Sequence, residues 1–330
     1  MNHLFSRPGM AAAFLLASAL LSGCAVNMKV PIKDPVASPA AYQKTTEAVA
    51  TTLTFKDEQS DVDKKRTVSG SIPMQLVYKD APFDAVPWLA QQTVKEMTAR
   101  GLPVTLGNEQ GGGTVVLVKR IHVENHRANG FSPFVTFTSL RADVQTDRGV
   151  QRITAYVKRG KVPVWGFDEV IEPTFNAPLG VVTKEFAAKL NQLLFRQAIS
   201  DQQVSAMVRK IEQDGGKADD AYLDVYQLGF GNNKTAVPAL VKLTSHVNEY
   251  VRLAAISSLG ILKAVDQQEF LVKIYENTAL IWQDRAMALK AIGDLGTPES
   301  RTYLQNQQVL LKARSDHDAT WTKEVIALYL

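Results

Sequence analysis

Cysteine is almost missing from this chain. There is one, Cys24, in 330 residues, which excludes an internal disulfide framework and a zinc cluster built on thiolates. A dominant charge sign is missing too. Against 33 acidic residues stand 37 basic ones, a formal +4, too small a surplus to mark a nucleic-acid binder. No apolar run reaches the roughly 20 residues that a membrane-spanning helix needs. With 45% hydrophobic residues the chain is too apolar to be disordered throughout. Its 20 glycines and 14 prolines are too few for a fibrous or low-complexity protein.

What is present begins with a leader. Met1 to Pro8 carry Arg7 and no acid, Ala11–Leu21 is apolar, and the run ends in Leu21-Ser22-Gly23-Cys24. An apolar stretch this short behind a basic start reads as an export signal over residues 1–23. The four closing residues resemble the bacterial lipobox. That resemblance implies cleavage between Gly23 and Cys24, thioether lipidation of Cys24 and acylation of the new amino terminus. Several acyl chains at about 0.8 kcal/mol per buried methylene make a stable anchor. Ala25 stands where an Asp would favour inner-membrane retention, so the expected location is the outer membrane, facing the periplasm. Removing residues 1–23 takes away Arg7 alone and leaves no electrostatic targeting.

Residues 24–50 lack an apolar period and carry Pro31, Pro35 and Pro39. They read as an extended, solvated tether, with docking of residues 27–35 on the folded body as the alternative. Residues 51–200 read as one α/β domain. Strand signals fall at 52–55, 74–78, 104–106, 114–124, 134–145, 150–158 and 162–171. A helix is expected over 80–100, with Val86, Leu89, Ala90, Val94 and Met97 inward and Gly101 as its cap. A second is expected over 178–199. Two helices among about six strands give an α+β sandwich with the sheet covered on one face. The order of these elements resembles the YajG-like group of bacterial lipoproteins, a likeness of pattern that brings no catalytic residues. Residues 201–218 read as a linker.

From residue 219 the period changes and the chain repeats itself. Leu228-Gly229, Leu259-Gly260 and Ile292-Gly293 each close an apolar helix, at intervals of 31 and 33 residues. Val251-Arg252-Leu253-Ala254-Ala255 is answered by Asp284-Arg285-Ala286-Met287-Ala288. Second helices are expected over 237–244, 269–276 and 299–311, and a closing helix over 319–330. These residues resemble HEAT repeats, which implies an all-α solenoid over 219–330. The glycines are expected as helix caps and the alanines as points of close helix approach. The fold class is therefore α+β: a sheet-plus-two-helix domain followed by an all-α HEAT-like solenoid.

Chemistry is sparse. His122 and His126 lie about 13 Å apart if on one strand, too far to share a metal without a turn between them. Gly111-Gly112-Gly113 precedes a strand and lacks the helix amino terminus of a phosphate loop. No G-x-S-x-G is present and Cys24 is committed to lipid, so no nucleophile stands out. No catalytic residue, cofactor or metal is expected. The candidates for partner or ligand binding are Trp165, Phe167, Arg252 and Arg285, with Phe131, Phe134, Phe137 and Phe175 beside the basic cluster of Lys158, Arg159 and Lys161. Structural roles compete at each, as sheet packing for the aromatics and bonding between repeats for the two arginines.

The expected function is a non-enzymatic envelope adaptor. It contacts the membrane through Cys24, a protein partner through the repeats, and no nucleic acid. The alternative is an accessory protein binding a lipid, glycan or exported polymer through the α/β domain. Cys24→Ala is expected to leave the chain unprocessed or to release it to the soluble fraction. Retention in the outer membrane with unchanged gel mobility would refute the lipobox reading.

Overall fold

The computed structural model describes residues 28–43, 48–108, 113–163 and 165–330. Gly23 and Cys24, with the leader, lie outside the described residues, as do Gly111 and Gly112. The strands are β1 (Met28–Pro31), β2 (Thr51–Asp57), β3 (Val68–Gly70), β4 (Met74–Tyr78), β5 (Ala81–Pro82), β6 (Val104–Leu106), β7 (Thr114–His126), β8 (Phe134–Thr146) and β9 (Gly149–Lys161). Between them lie α1 (Asp61–Lys65) and α2 (Ala85–Ala99). Helices follow: α3 (Asp168–Ile171), α4 (Ala177–Leu194), α5 (Asp201–Asp214), α6 (Ala221–Phe230), α7 (Val237–Leu243), α8 (Glu249–Ile261), α9 (Gln268–Glu276), α10 (Trp282–Leu295), α11 (Pro298–Leu311) and α12 (His317–Tyr329). A sheet region followed by a helical region is the α+β class expected.

The main sheet runs β6-β2-β7-β8-β9, with β3 pairing the far half of β7. A smaller sheet joins β1, β4 and β5. The register Ile121↔Leu140 and Leu140↔Ala155 puts these side chains on one face. A bulge between Val118 and Arg120 adds one residue, which keeps Val116, Val118, Ile121 and Val123 on that same face. All four are fully buried. Helices α2 and α4 cover them, and Phe55 of β2 meets Phe186 of α4 edge to face at 6.2 Å.

The opposite face carries Arg120, His122, Glu124, Ser139 and Arg141, a set that reads as solvated. It is covered as well, which corrects the expectation of a sheet covered on one face. Trp321 of α12 packs on Phe137 at 4.9 Å between ring centroids. Arg141 Nη1 donates to Ala327 O at 3.1 Å, and Arg152 Nη1 to Leu330 O at 2.9 Å. The free edge of β9 is closed too: its Gly160 O accepts from Tyr250 Oη at 2.8 Å and its Thr154 O from Lys189 Nζ at 2.7 Å. An uncovered edge strand is a template for aggregation, and here the edge beyond residue 152 is covered by helices.

Four further expectations change. Residues 28–43 are built into the body rather than solvated. Val30, Ile32, Ala40 and Tyr42 are buried, and Tyr42 Oη donates to Phe230 O at 2.8 Å. The prolines set an extended path, and the buried apolar residues flanking them dock it. The helix read from 80 begins at Ala85, because Phe83 N–H bonds back to Leu76 O and holds β5 in a hairpin. The strand read over 162–171 is absent. Helix starts at Asp168 and continues through a π-turn, Glu172–Asn176, which absorbs the missing N–H of Pro173. The linker over 201–218 holds α5, started by the reciprocal Ser200/Gln203 capping box and ended by Gly215 at φ +62°.

The repeats form stacked helix pairs α6/α7, α8/α9 and α10/α11, closed by α12. Their glycines do not act as left-handed caps, since none of Gly229, Gly260 and Gly293 has positive φ. They permit contact between successive helices. A Cβ on Gly229 would lie 2.6 Å from Ser258 Oγ of α8, one on Gly260 2.5 Å from Ala291 Cα of α10, and one on Gly293 2.8 Å from the Tyr329 ring of α12. Gly260→Ala therefore drives a methyl into backbone that cannot rotate away. It is expected to lower stability by about 1–3 kcal/mol, read as a fall in the thermal midpoint. An unchanged midpoint would mean that α8 and α10 separate freely.

Candidate functional site

Helix α4 is the shared wall between the two regions. Nearly every side chain from Pro178 to Asn191 is buried, with the sheet and α2 on one side and the repeat helices on the other. Its Glu185 and Lys189 point into that second boundary. Glu185 Oε1 accepts from Lys189 Nζ at 2.6 Å and from Lys290 Nζ of α10 at 2.5 Å. Asp294 accepts from Lys189 at 2.5 Å and pairs with Lys290 at 2.7 Å. Ser257 of α8, Thr154 of β9 and Tyr329 of α12 complete the hydrogen bonding. Burial alone would pull the Lys290 ammonium down, but Asp294 and Glu185 outweigh it and hold its pKa above the ordinary lysine value. Burial likewise opposes the Asp294 carboxylate, and the two lysines hold it ionised.

Beside this network a cleft of about 830 Å³ opens between the β8–β9 turn, the end of α4, and the ends of α8 and α11. The size is within the roughly 300–1,000 Å³ of small-molecule sites. Six cations line it: Arg148, Arg152, Lys189, Arg196, Lys263 and Arg301. Its lining acids are already engaged. Asp143 pairs with Arg152 at 3.2 Å, and Asp294 with the two lysines. Arg148, Arg196, Lys263 and Arg301 form no ion pair with a described residue. Burial, reinforced by the charge of Lys189, pulls the Lys263 ammonium below its usual value. The amino terminus of α11, capped by Thr297, adds its positive end to the same cleft.

Two of the four free cations sit where their backbone is strained. Arg196 has φ +57° and Lys263 φ +50°. Each follows a helix end at the position that usually takes glycine or asparagine. Lys263 N–H donates to Gly260 O at 2.8 Å and Ala264 N–H to Leu259 O at 3.0 Å, a full Schellman closure. The matching positions of the neighbouring repeats are Asn232 at φ +54° and Gly296 at φ +69°. A long cationic side chain there costs about 1 kcal/mol or more and faces like charges.

A second, smaller cavity of about 230 Å³ lies between the polar sheet face and α12. Glu324 of α12 meets Glu124 of β7 in it. Burial, with the Glu124 charge behind it, pushes the Glu324 carboxyl up to about 7. His122 Nδ1–H donates to Arg66 O, and its Nε2 meets Ser69 Oγ, both at 2.8 Å. Burial, then the Arg120 charge, lowers its pKa to about 4, so the ring is neutral near pH 7.

The residues singled out from sequence are scattered. Trp165 is 93% exposed, and Phe167 is half-buried against Phe134 at 5.7 Å. Phe134, Phe137 and Phe175 are core, while Phe131 is 96% exposed. Arg252 bonds Asp284 at 3.2 Å and His246 O at 2.8 Å, and Arg285 bonds Tyr275 O at 2.9 Å. These two arginines hold repeats together. The basic cluster does the same between regions: Lys158 pairs with Glu249 at 2.6 Å and Lys161 with Asp219 at 3.2 Å. Arg159 lies over the Tyr222 and Tyr250 rings at 4.2 and 3.7 Å. Among the described residues no group of three or more His, Cys, Asp or Glu could hold a metal. The cleft cations escaped notice because they come from four distant segments. One signal was available: Lys263 occupies the repeat position that holds Asn232 and Gly296.

The Glu324 carboxyl titrates well above its unfolded value of 4.5. The folded state thus binds the proton more tightly, and the stability this provides is complete below about pH 4.5 and lost as pH rises through about 7. Against Glu324→Gln, the wild type is expected to lose thermal midpoint progressively from pH 5 to pH 8. A difference that stays constant over that range would refute the carboxyl pairing. His122 acts oppositely between about pH 6.5 and 4 and is common to both proteins, so the comparison isolates Glu324.

No family model matches the chain, and no curated protein does. Among solved structures, one titled "Crystal structure of uncharacterized protein" is 11% identical, covering 51% of this chain and 97% of its own with a TM-score of 0.30.

Proposed function

We propose that this chain is a lipid-anchored envelope protein, held through Cys24 to the periplasmic face of the outer membrane, that binds an anionic ligand in the cleft beside α4. The supporting observation is the charge balance of that cleft. Four cations without ion-pair partners among the described residues face one cavity, and two of them are kept at backbone positions that favour glycine. Self-repulsion and strain both oppose such an arrangement, and an anion relieves the repulsion. The ligand class is a small molecule or polymer end bearing two or more phosphate or carboxylate groups. The reading assigns no reaction. The repeats, which resemble HEAT units, act as the far wall.

A protein partner is the second reading. The row of α6, α8, α10 and α12 is turned toward α4 and the sheet, which leaves a partner the outer row of α7, α9 and α11. Val309 and Leu310 of α11, 72% and 68% exposed, favour a contact there.

Pyrophosphate and citrate serve as probes, in calorimetric titration and thermal shift. Both are expected to bind saturably and to weaken with added salt. Lys263→Gly is expected to stabilise the free protein by up to about 1 kcal/mol. Paired with Arg301→Ala it is expected to raise the dissociation constant at least about tenfold, from loss of charge-assisted hydrogen bonds worth about 1.5–3 kcal/mol each. Absence of saturable binding, or equal affinity in the double variant, would overturn the reading.

A further inference from the structure

Two large aromatic side chains stand almost fully in solvent at one end of the main sheet. Phe131 is 96% exposed at the tip of the β7–β8 hairpin, and Trp165 is 93% exposed in the segment after β9. Val162 beside it is 51% exposed. The strand register places them together. His126 pairs with Val135, and Phe134 with Lys161, so the hairpin tip and the exit of β9 leave the sheet side by side. Burying a Phe is worth about 1.5–3 kcal/mol, and an exposed aromatic leaves that unrealised.

These side chains are held out by built structure. Asn129 Oδ1 accepts the Phe131 and Ser132 N–H groups, both at 2.9 Å, and Asn129 N–H donates to Ser132 Oγ at 2.9 Å. Trp165 N–H donates to Glu169 Oε1 at 2.8 Å. Pinned turns presenting apolar side chains lower the ordering cost of inserting them elsewhere.

The start of the described chain comes to the same end. Met28 N–H donates to Pro73 O at 3.2 Å. The segment before Pro73 is tied to the base of the hairpin: Ser71 N–H donates to Asn125 O at 3.0 Å, Ile72 N–H to Asn125 Oδ1 at 2.9 Å, and Arg127 N–H to Ser71 Oγ at 2.8 Å. Three residues lie between Cys24 and Met28, and the four steps from one to the other span at most about 14 Å. A lipid on Cys24 therefore enters the bilayer close to this end of the sheet.

We propose that the Phe131 turn and the Trp165 segment form a membrane-contact surface that inserts into the lipid interface beside the lipidated Cys24. The inference rests on the lipid anchor proposed above and fixes how the body sits on the bilayer. Trp and Phe suit that depth, the indole giving an apolar body and an N–H for the headgroup region. Arg127 and Lys161 at the strand ends lie where phospholipid headgroups would be met.

Bromolipid quenching of tryptophan emission tests it. The full lipidated chain is placed in phosphatidylethanolamine/phosphatidylglycerol vesicles with plain or brominated acyl chains. Of the four tryptophans, Trp88 is buried and Trp282 and Trp321 pack on Phe137. Brominated lipid is expected to quench part of the emission, and Trp165→Phe to remove that quenching. Phe131→Trp in the Trp165→Phe background is expected to restore it. Val150→Trp in the same background, at the other end of β9, is expected to stay unquenched. Protein that sediments with the vesicles but shows no quenching at 165 or 131 overturns the contact surface and leaves the anchor standing. Protein that stays in the supernatant overturns the anchor and the surface with it. Self-association of the Cys24→Ala chain in buffer, with a blue shift that Trp165→Phe abolishes, assigns the surface to a second copy and overturns the proposal.

Discussion

Four buried charges hold the molecule in one arrangement. Glu185 and Lys189 on α4 close with Lys290 and Asp294 on α10, and Thr154, Ser257 and Tyr329 bind to the same group. Five elements, α4, β9, α8, α10 and α12, thus meet at one point. A buried carboxylate or ammonium is tolerated only while its partners stay in place, and removing one partner of such a pair costs about 3–5 kcal/mol. The sum is neutral, two acids and two bases, so nothing is gained by moving one region alone. An apolar boundary would permit sliding. This one defines a register between repeats and sheet.

That register determines the rest. With α10 fixed on α4, the closing helix α12 is laid across the second face of the sheet. It covers residues whose alternation reads as solvent-facing and traps Glu124 opposite Glu324. With α8 fixed, Lys263 is brought into the cleft that Arg196 also lines. A solenoid usually offers its concave side to another molecule. Here the row of first helices is already committed to its own chain, which leaves the helical region the cleft at one margin and its outer helices.

Much of this architecture was legible in the sequence, and the failures have physical causes. The three long strands announced themselves by alternation, and the repeats by residues recurring at a 33-residue spacing. Gly229, Gly260 and Gly293 were correctly located but misread in purpose, because a glycine near a helix end serves a left-handed cap or a close contact equally well in one dimension. Residues 24–50 read as a tether, with docking of 27–35 as the alternative, because three prolines dominate the composition, whereas the buried Val30, Ile32 and Tyr42 beside them decide the outcome. The stretch 162–171 reads as a strand, yet helix begins at Asp168 and runs on through a π-turn that absorbs Pro173. The cleft was illegible except at Lys263, since a site assembled from Arg148, Arg196, Lys263 and Arg301 has no linear motif.

The two proposed surfaces lie at opposite ends of the same strands. β9 runs from Gly149, beside the cleft residue Arg148, to Lys161, beside Trp165. Thirteen residues at about 3.3 Å each make that distance roughly 40 Å. If Phe131 and Trp165 rest on the bilayer, the cleft opens away from it, at a height set by strand length rather than by a flexible linker. This matters for an anionic ligand. Attraction between exposed charges is largely screened beyond about 8 Å at physiological salt, so a cleft lying on the membrane would compete with phosphate headgroups, whereas one held at the far end of the sheet would not. The docked segment 28–43 serves the same geometry. A solvated tether of that length would let the body tumble, while a chain hydrogen-bonded to Pro73 and packed through Tyr42 would transmit the position of the proposed anchor to the whole fold.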